Sequence, residues 1–401
     1  MKKKILLITN NFWPENFPIN SFIKLIQKKF EISILTGKPN YPGGKIYKNY
    51  NWYSFQSEKF LKKSAIYRVP IIPRGNGSYL MRIFNYTSFI FFSFFYIPML
   101  SKKKFDHIFV YAPSPVIHAL LGIVLKKLMG IKMSLWLQDI LTSALEVNKK
   151  SQPILIWALN IILKYIYKES DIIFAQSQKY NDYFKKIISR KKIVYLPNLI
   201  NRNFETKKNI DIKNFNPEKF NICYFGNMGI VQEFNTILNA AKIVENKEIY
   251  FHFFGEGVEK NNIKKEVYKK NLKNFFIHDY IDYEMLKKTI HKSSILFLSL
   301  KKNKKLNFTA PSKLQLYMYC GKPILAEING ESKRIIVDSK CGITVRHNNL
   351  KQMINSINYL YKIRKSSKFK GYGKKAKEYF NNNFSEKKIF NTFIKSIDQV
   401  I

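Results

Sequence analysis

The sequence predicts an α/β fold of two doubly wound domains, each a mainly parallel sheet with helices on both faces. Three observations carry this. Helical and strand-like patterns alternate through both halves of the chain. The strand candidates, such as KILLIT at 4–9 and SILFLSL at 294–300, are near-continuous apolar runs, as in strands covered on both faces. The 401 residues exceed one ordinary core, and a polar stretch at 201–219, NRNFETKKNIDIKNFNPEK, separates the two patterned halves. The expected domains are 1–200 and 201–384, with a last helix at 385–401 packing back on the first.

In the first half KILLIT is followed by the loop NNFWPENFPIN. Ser21 is placed to cap the helix FIKLIQKKF. EISILT is the second strand, and GKPNYPGGKIYKNY, with Tyr41 and Tyr47, is a turn region. AIYRVPII, DHIFVYAP, KMSLWLQDI, DIIFAQS and KIVYLPN read as further strands. Gln138 and Asp139 stand at the C-terminal end of KMSLWLQDI, the end at which such sheets bind ligands.

The second half restarts the scheme. FNICYFGNMG is a strand with a glycine loop, FNTILNAAKIVENK a helix, and IYFHFFGEG a strand with a second glycine loop. NFFIHDY, EMLKKTIHKS, SILFLSL, a helix after Pro311, PILAEI, a helix around GESKRIIVDS and GITV follow. Helices fill the chain from 350 on.

Lys and Arg number 69 against 27 Asp and Glu, a formal net charge of +42. Such a balance suits polyanions. The lysines are spread along the chain, and neither zinc-ligand spacing nor a basic zipper is present, so nucleic acid is not the expected partner. Cys223, Cys320 and Cys341 lie far apart in apolar contexts and read as reduced core residues, without a metal. MKKKILLITNNFW mimics a signal peptide, but its apolar core is short and it reads as the first strand. The expected place is the cytoplasm.

Residues 86–100, YTSFIFFSFFYIPML, are almost uncharged and flanked by Arg82 and Lys102–Lys104. The run is shorter than the ~20 residues of a span. It reads as a helix that is buried, lies in a membrane interface or, as the least favoured reading, spans the membrane, and the basic flanks and the Phe and Tyr content favour the interface.

Three stretches suggest a ligand site. Gly226, Asn227, Met228 and Gly229 follow a strand and precede a helix, where small residues admit a phosphate to backbone N–H groups. Gly255, Glu256 and Gly257 form a second such turn, and His278, Asp279 and Tyr280 end the next strand. Ser312 is placed to cap a helix whose first turn holds Lys313, with Tyr317 on the same face. A cation there opposes the helix dipole, and a bound diphosphate would reverse that sign. Glu331, in the loop after PILAEI, is placed to accept hydroxyls of a sugar or ribose.

GNMGIVQ, GEG and PSKLQLYMYCGKPILAEINGES, in that order, resemble the family-4 retaining glycosyltransferases of the GT-B fold. The likeness is to enzymes of the O-antigen and capsule N-acetyl-fucosamine transferase type. LTGKPNYPGGKIYKNY, LWLQDI, QSQKYNDYF and YLPN fit the same group. The resemblance implies two Rossmann-like domains. It places a nucleotide-sugar donor, expected to be UDP-linked with an N-acetylated sugar, on the second domain. It places a polyprenyl-diphosphate-linked saccharide acceptor on the first. It implies no cofactor and no metal. The enzyme is expected as a peripheral protein on the inner face of the cytoplasmic membrane. Gly226, Asn227, Met228, Gly229, Gln232, Gly255, Glu256, Gly257, His278, Asp279, Tyr280, Ser312, Lys313, Tyr317 and Glu331 are the expected donor contacts. Lys313, Asp139 and Gln138 are the catalytic candidates.

The chain departs from the family pattern in three places. The family's two glutamates fall on Phe308 and Leu316. NFPIN replaces the first-half glycine pair. Gln232 stands where an Arg or Lys is common. A UDP-sugar 2-epimerase, or an inactive basic relative that binds a membrane or nucleic acid, are the alternatives.

Overall fold

The structure is a computed structural model that describes residues 2–61, 64–113, 116–138, 153–185, 187–188, 193–200, 212, 214–244 and 248–401. The chain forms two compact units. The first holds the described residues to 200 together with Glu386–Ile401, and the second holds those from 212 to Ser385.

The first unit is an eight-stranded sheet of β1 (Lys4–Ile8), β2 (Glu31–Gly37), β3 (Gln56–Phe60), β4 (Ser64–Val69), β5 (His107–Ala112), β6 (Lys132–Leu137), β7 (Ile172–Ala175) and β8 (Ile193–Tyr195). Their order is β3-β4-β2-β1-β5-β6-β7-β8. All neighbours are parallel except β3 with β4. β3, QSEKF, carries little strand signal in the sequence because this antiparallel edge strand is largely polar.

Right-handed crossovers decide which face each helix covers. The chain steps leftward from β1 to β2 and rightward from β4 through β5 and β6 to β7. The helix Pro18–Ile26 therefore lies on one face, and Tyr79–Ser93, Ala119–Met129 and Pro153–Glu169 on the other. On the first face Leu7, Phe22, Phe109, Trp136 and Phe174 share a core with Phe393 of the last helix, Glu386–Asp398.

The second unit is a parallel six-stranded sheet of β9 (Phe220–Phe225), β10 (Ile249–Phe254), β11 (Phe275–His278), β12 (Ile295–Ser299), β13 (Ile324–Glu327) and β14 (Gly342–Val345). Its order is β11-β10-β9-β12-β13-β14. Both sheets are doubly wound, as the alternating pattern predicts.

Several local expectations need correction. The first helix begins at Pro18, whose fixed φ suits the first helical position, so Ser21 lies inside it and caps nothing. The apolar run at 86–100 belongs to a longer stretch, Leu80–Ser101, whose 22 residues are long and apolar enough to cross a membrane. It starts after Ser78, whose side chain accepts from the Met81 N–H. The helix Lys260–Lys269, lysine-rich and weakly apolar, is an addition to the expected elements.

Candidate active site

β9, β10 and β11 end level with one another. Phe225 is the register partner of Phe254, and Phe254 of His278. Their rings stack, with centroids 4.9 Å apart for Phe225–Phe254 and 4.3 Å for Phe254–His278. Three loops therefore leave the sheet side by side, at the strand ends where doubly wound sheets bind ligands.

The glycines are there because the loops touch. Gly226, Gly255 and Gly257 have φ of 118°, 144° and 146°. A Cβ on Gly255 would lie 2.1 Å from the Gly226 carbonyl oxygen, and one on Gly257 2.3 Å from that of Met228. The Gly226 N–H donates to Phe254 O at 2.8 Å and the Met228 N–H to Glu256 O at 2.7 Å. Two expected phosphate donors are thus occupied within the loops. The Gly229 N–H is also taken, by Gln232 Oε1 at 2.8 Å, so Gln232 closes its own loop. The Met228 side chain is wholly in the core, and only its backbone borders the loops.

The helix Ser312–Tyr319 opens beside Gly226. Its cap residue is Pro311, in an extended conformation, so the expected Ser312 cap is corrected: Ser312 is the first helical residue and is exposed. Lys313 follows, and its stem runs under Gly226, where a Cβ would lie 2.7 Å from Lys313 Cε. The ammonium sits 4.1 Å from the Tyr224 ring centroid, donates to the Tyr224 hydroxyl, and reaches the Asn227 carbonyl at 3.4 Å. The Tyr224 hydroxyl in turn donates to Asn227 O at 2.5 Å. Lys313 has no ion pair with a carboxylate among the described residues, and withdrawal from solvent lowers its pKa to about 7. Tyr317 is buried, and its hydroxyl accepts the Phe225 N–H at 3.0 Å, so it fixes the end of β9 rather than facing a ligand.

Lys260, which no sequence motif singles out, organises the second and third loops. Its ammonium lies 2.5 Å from Glu256 Oε1 and 2.6 Å from Asp279 Oδ1. The Lys260 hydrogen bond and charge hold the Asp279 carboxyl below its usual range. Its only signal in sequence is the four-residue spacing from Glu256. His278 is lowered to about 4 by burial and is neutral near pH 7, and its Nε2 lies 3.0 Å from His252 Nδ1. Tyr280 is exposed.

Glu331 is not an open acceptor. It lies in the first turn of the helix Gly330–Ser339, fully buried, with Arg334 Nη2 at 2.7 Å from Oε1 and Nε at 2.9 Å from Oε2. Phe308 and Leu316 place no carboxylate near the mouth. Gln138 is buried in the first unit, where its carbonyl accepts from Gln176 Nε2 and, at 3.1 Å, from the Tyr180 hydroxyl. Asp139 lies outside the described residues. No group of three or more metal-ligating side chains occurs among the described residues.

Residues 205–378, which contain every feature of this mouth, match the family model described as "Glycosyl transferases group 1". The chain is a glycosyltransferase. Its glycosyl transferases group 1 domain is the second unit, and its two Rossmann-like domains make a GT-B fold. A curated relative is the protein assigned as the colanic acid biosynthesis glycosyl transferase WcaI of Escherichia coli K12. It is 22% identical over 329 residues, 78% of this chain and 80% of that protein. Sucrose-phosphate synthase of Thermosynechococcus elongatus superposes with a TM-score of 0.76 at 13% identity, covering 99% of each chain. Anabaena HepE in complex with UDP superposes with a TM-score of 0.66 at 10% identity, covering 99% of this chain and 100% of that one.

Proposed function

We propose that this glycosyltransferase moves a sugar from a UDP-linked donor to a lipid-linked saccharide in surface polysaccharide synthesis. The observation that carries the donor half is Lys313: a half-buried cation, without an acidic partner among the described residues, at the mouth of a helix. The backbone N–H groups of Ser312 and Lys313 beside it make no hydrogen bond among the described residues. A diphosphate there supplies the missing counter-charge and meets the positive end of the helix. As the bond to the sugar breaks, charge grows on that diphosphate, and the ammonium stabilises it. Asp279 and Glu256, held by Lys260, border the same mouth and suit the hydroxyls of a ribose or sugar. Retention of configuration is the expected outcome, with the departing phosphate taking the acceptor proton.

The acceptor half rests on the relatives and on the first unit. The WcaI protein carries an assignment to colanic acid synthesis, while HepE structures, which hold UDP and UDP-glucose, bear on the donor half. In the stretch Leu80–Ser101, Phe89 and Leu100 are buried in the first unit while Phe91 and Phe95 are exposed. That two-sidedness suits a helix lying in a membrane interface on the cytoplasmic side, where a polyprenyl-linked acceptor is reached.

Calorimetric titration of UDP, GDP and ADP into wild type and Lys313→Ala tests the donor half. UDP is expected to bind wild type best, and the alanine variant about ten- to a hundredfold more weakly, the worth of a charge-assisted hydrogen bond. Absence of any nucleotide binding to folded wild type sinks the reading.

A further inference from the structure

A second apolar stripe faces outward from the first unit. In the helix Pro153–Glu169, Ile154, Trp157, Ile161 and Tyr165 recur at three- and four-residue spacing and are all exposed, Ile154 at 79% and Trp157 at 66%. The inward side is apolar as well, with Leu163, Ile166 and Tyr167 buried. A surface helix of a soluble fold ordinarily turns polar groups outward. This one is apolar both ways.

The stripe belongs to one layer. The helix packs beside Ala119–Met129 and the turn Val116–His118, and the stretch ending at Ser101 packs on the other side of Ala119–Met129. Phe89 of that stretch meets His118, with ring centroids 6.1 Å apart. Gly122 presses the middle helix onto the sheet, where a Cβ would lie 2.7 Å from Met133 Sδ. The outward sides of all three helices therefore share one face of the first sheet, as the rightward crossovers require. Leu128 of the middle helix is exposed between the other two.

The charge on this layer is mainly positive. The three helices carry a single acid, Glu169, which lies 3.9 Å from Lys127. Lys164 and Lys168 flank the far end of the stripe, and Lys127 donates to the Tyr165 hydroxyl at 3.1 Å. Apolar rings at one end and ammonium groups at the other suit acyl chains and anionic headgroups. A second copy of the chain suits it less, because each copy carries a formal charge of +42 and repels the other.

We infer that the helix Pro153–Glu169 is a second membrane contact, and that the first unit docks on an anionic bilayer by this whole helical layer. The inference rests on the membrane reading above and extends it to residues outside the stretch Leu80–Ser101.

The test is co-sedimentation with phosphatidylglycerol–phosphatidylcholine vesicles, using wild type, Trp157→Glu with Ile161→Glu, and Phe91→Glu with Phe95→Glu. Both double variants are expected to bind at least tenfold more weakly, with UDP binding unchanged. Quenching of wild-type tryptophan fluorescence by brominated lipid is expected to fall in Trp157→Phe, which preserves the packing and decides the matter should the glutamate variant not fold. If only the Phe91 and Phe95 variant loses binding and Trp157→Phe leaves quenching intact, this inference is wrong and the membrane reading stands. If wild type ignores vesicles, both fall. A wild-type dimer by light scattering that Trp157→Glu dissolves makes this face a contact between copies and also overturns the inference.

Discussion

The Lys313 ammonium rests 4.1 Å above the Tyr224 ring and donates to its hydroxyl, away from every described carboxylate. A cation kept this way has a pKa near 7 before ligand arrives, and a bound diphosphate raises it. Between those two values, binding takes up a proton. UDP affinity is therefore expected to fall about tenfold per pH unit above 7 and to flatten below it. Calorimetry between pH 7 and 9, in buffers of different ionisation enthalpy, reads both the slope and the proton. Without ligand, the unfolded chain holds this proton more tightly from about pH 7 to 10.5, so the group's contribution to stability rises with pH across that window. A pH-independent affinity contradicts the account.

Gly255 is expected to tolerate no side chain. Its φ of 144° leaves no room, and a methyl group there would meet the Gly226 carbonyl oxygen at 2.1 Å. Gly255→Ala is expected to lower Tm by about 5 °C or more, given a strain of roughly 1–3 kcal/mol plus the clash. Gly371→Ala is the counterpart. It lies in the helix Ser367–Phe384 with nothing within 4 Å of the new methyl, and is expected to stabilise by about 0.5–1 kcal/mol. Thermal melts of the two variants, run side by side, check both signs.

Lys260→Ala separates loop order from global stability. The Asp279 carboxyl loses the partner that depresses its pKa and moves up toward the usual carboxylate value. Glu256 loses the same partner. Nucleotide affinity is expected to fall severalfold with little change in Tm, because both carboxylates lie in solvent, 60% and 86% exposed, and ion pairs to such groups add at most about 1 kcal/mol. Carboxyl NMR titration and calorimetry measure the two effects. A large Tm loss with intact affinity assigns Lys260 to the core instead.

Phe393 ties the end of the chain to the first unit. Its ring meets Phe22 at 4.9 Å, Phe109 at 5.1 Å and Phe174 at 5.3 Å, and it is fully buried. Phe393→Ala is expected to cost about 3–5 kcal/mol, seen as a lower denaturation midpoint in urea. A loss below ~1 kcal/mol denies the last helix this role.

Much of the fold was legible because hydrophobic periodicity is a local property. KILLIT, FNICYF and SILFLS read as buried parallel strands from their composition alone, and the Pro-Ser-Lys step and the glycine turns marked the mouth. Polar elements were less visible: QSEKF and the helix Lys260–Lys269 carry few apolar residues, so their pattern is weak. Pro18 opens its helix with a φ already suited to the first turn, and Pro311 takes the cap position of the other in an extended conformation, so Ser21 and Ser312 fall inside the helices and neither start has a side-chain cap.

The sequence by itself determined the alternating α/β order, the glycines that only a crowded turn requires, and a lysine placed against its helix dipole. Tertiary structure decided which distant groups meet. Tyr317 is consumed by the Phe225 N–H, 92 positions away, and Lys313 is kept against Tyr224, 89 positions away, whereas Glu331 with Arg334 and Gln232 with the Gly229 N–H are three-residue pairs of local structure. The physical reason is range. Burial patterns repeat over a few residues, but a hydrogen bond or ion pair is made by whichever partner the folded sheets bring within about 3 Å, and spacing along the chain does not encode that.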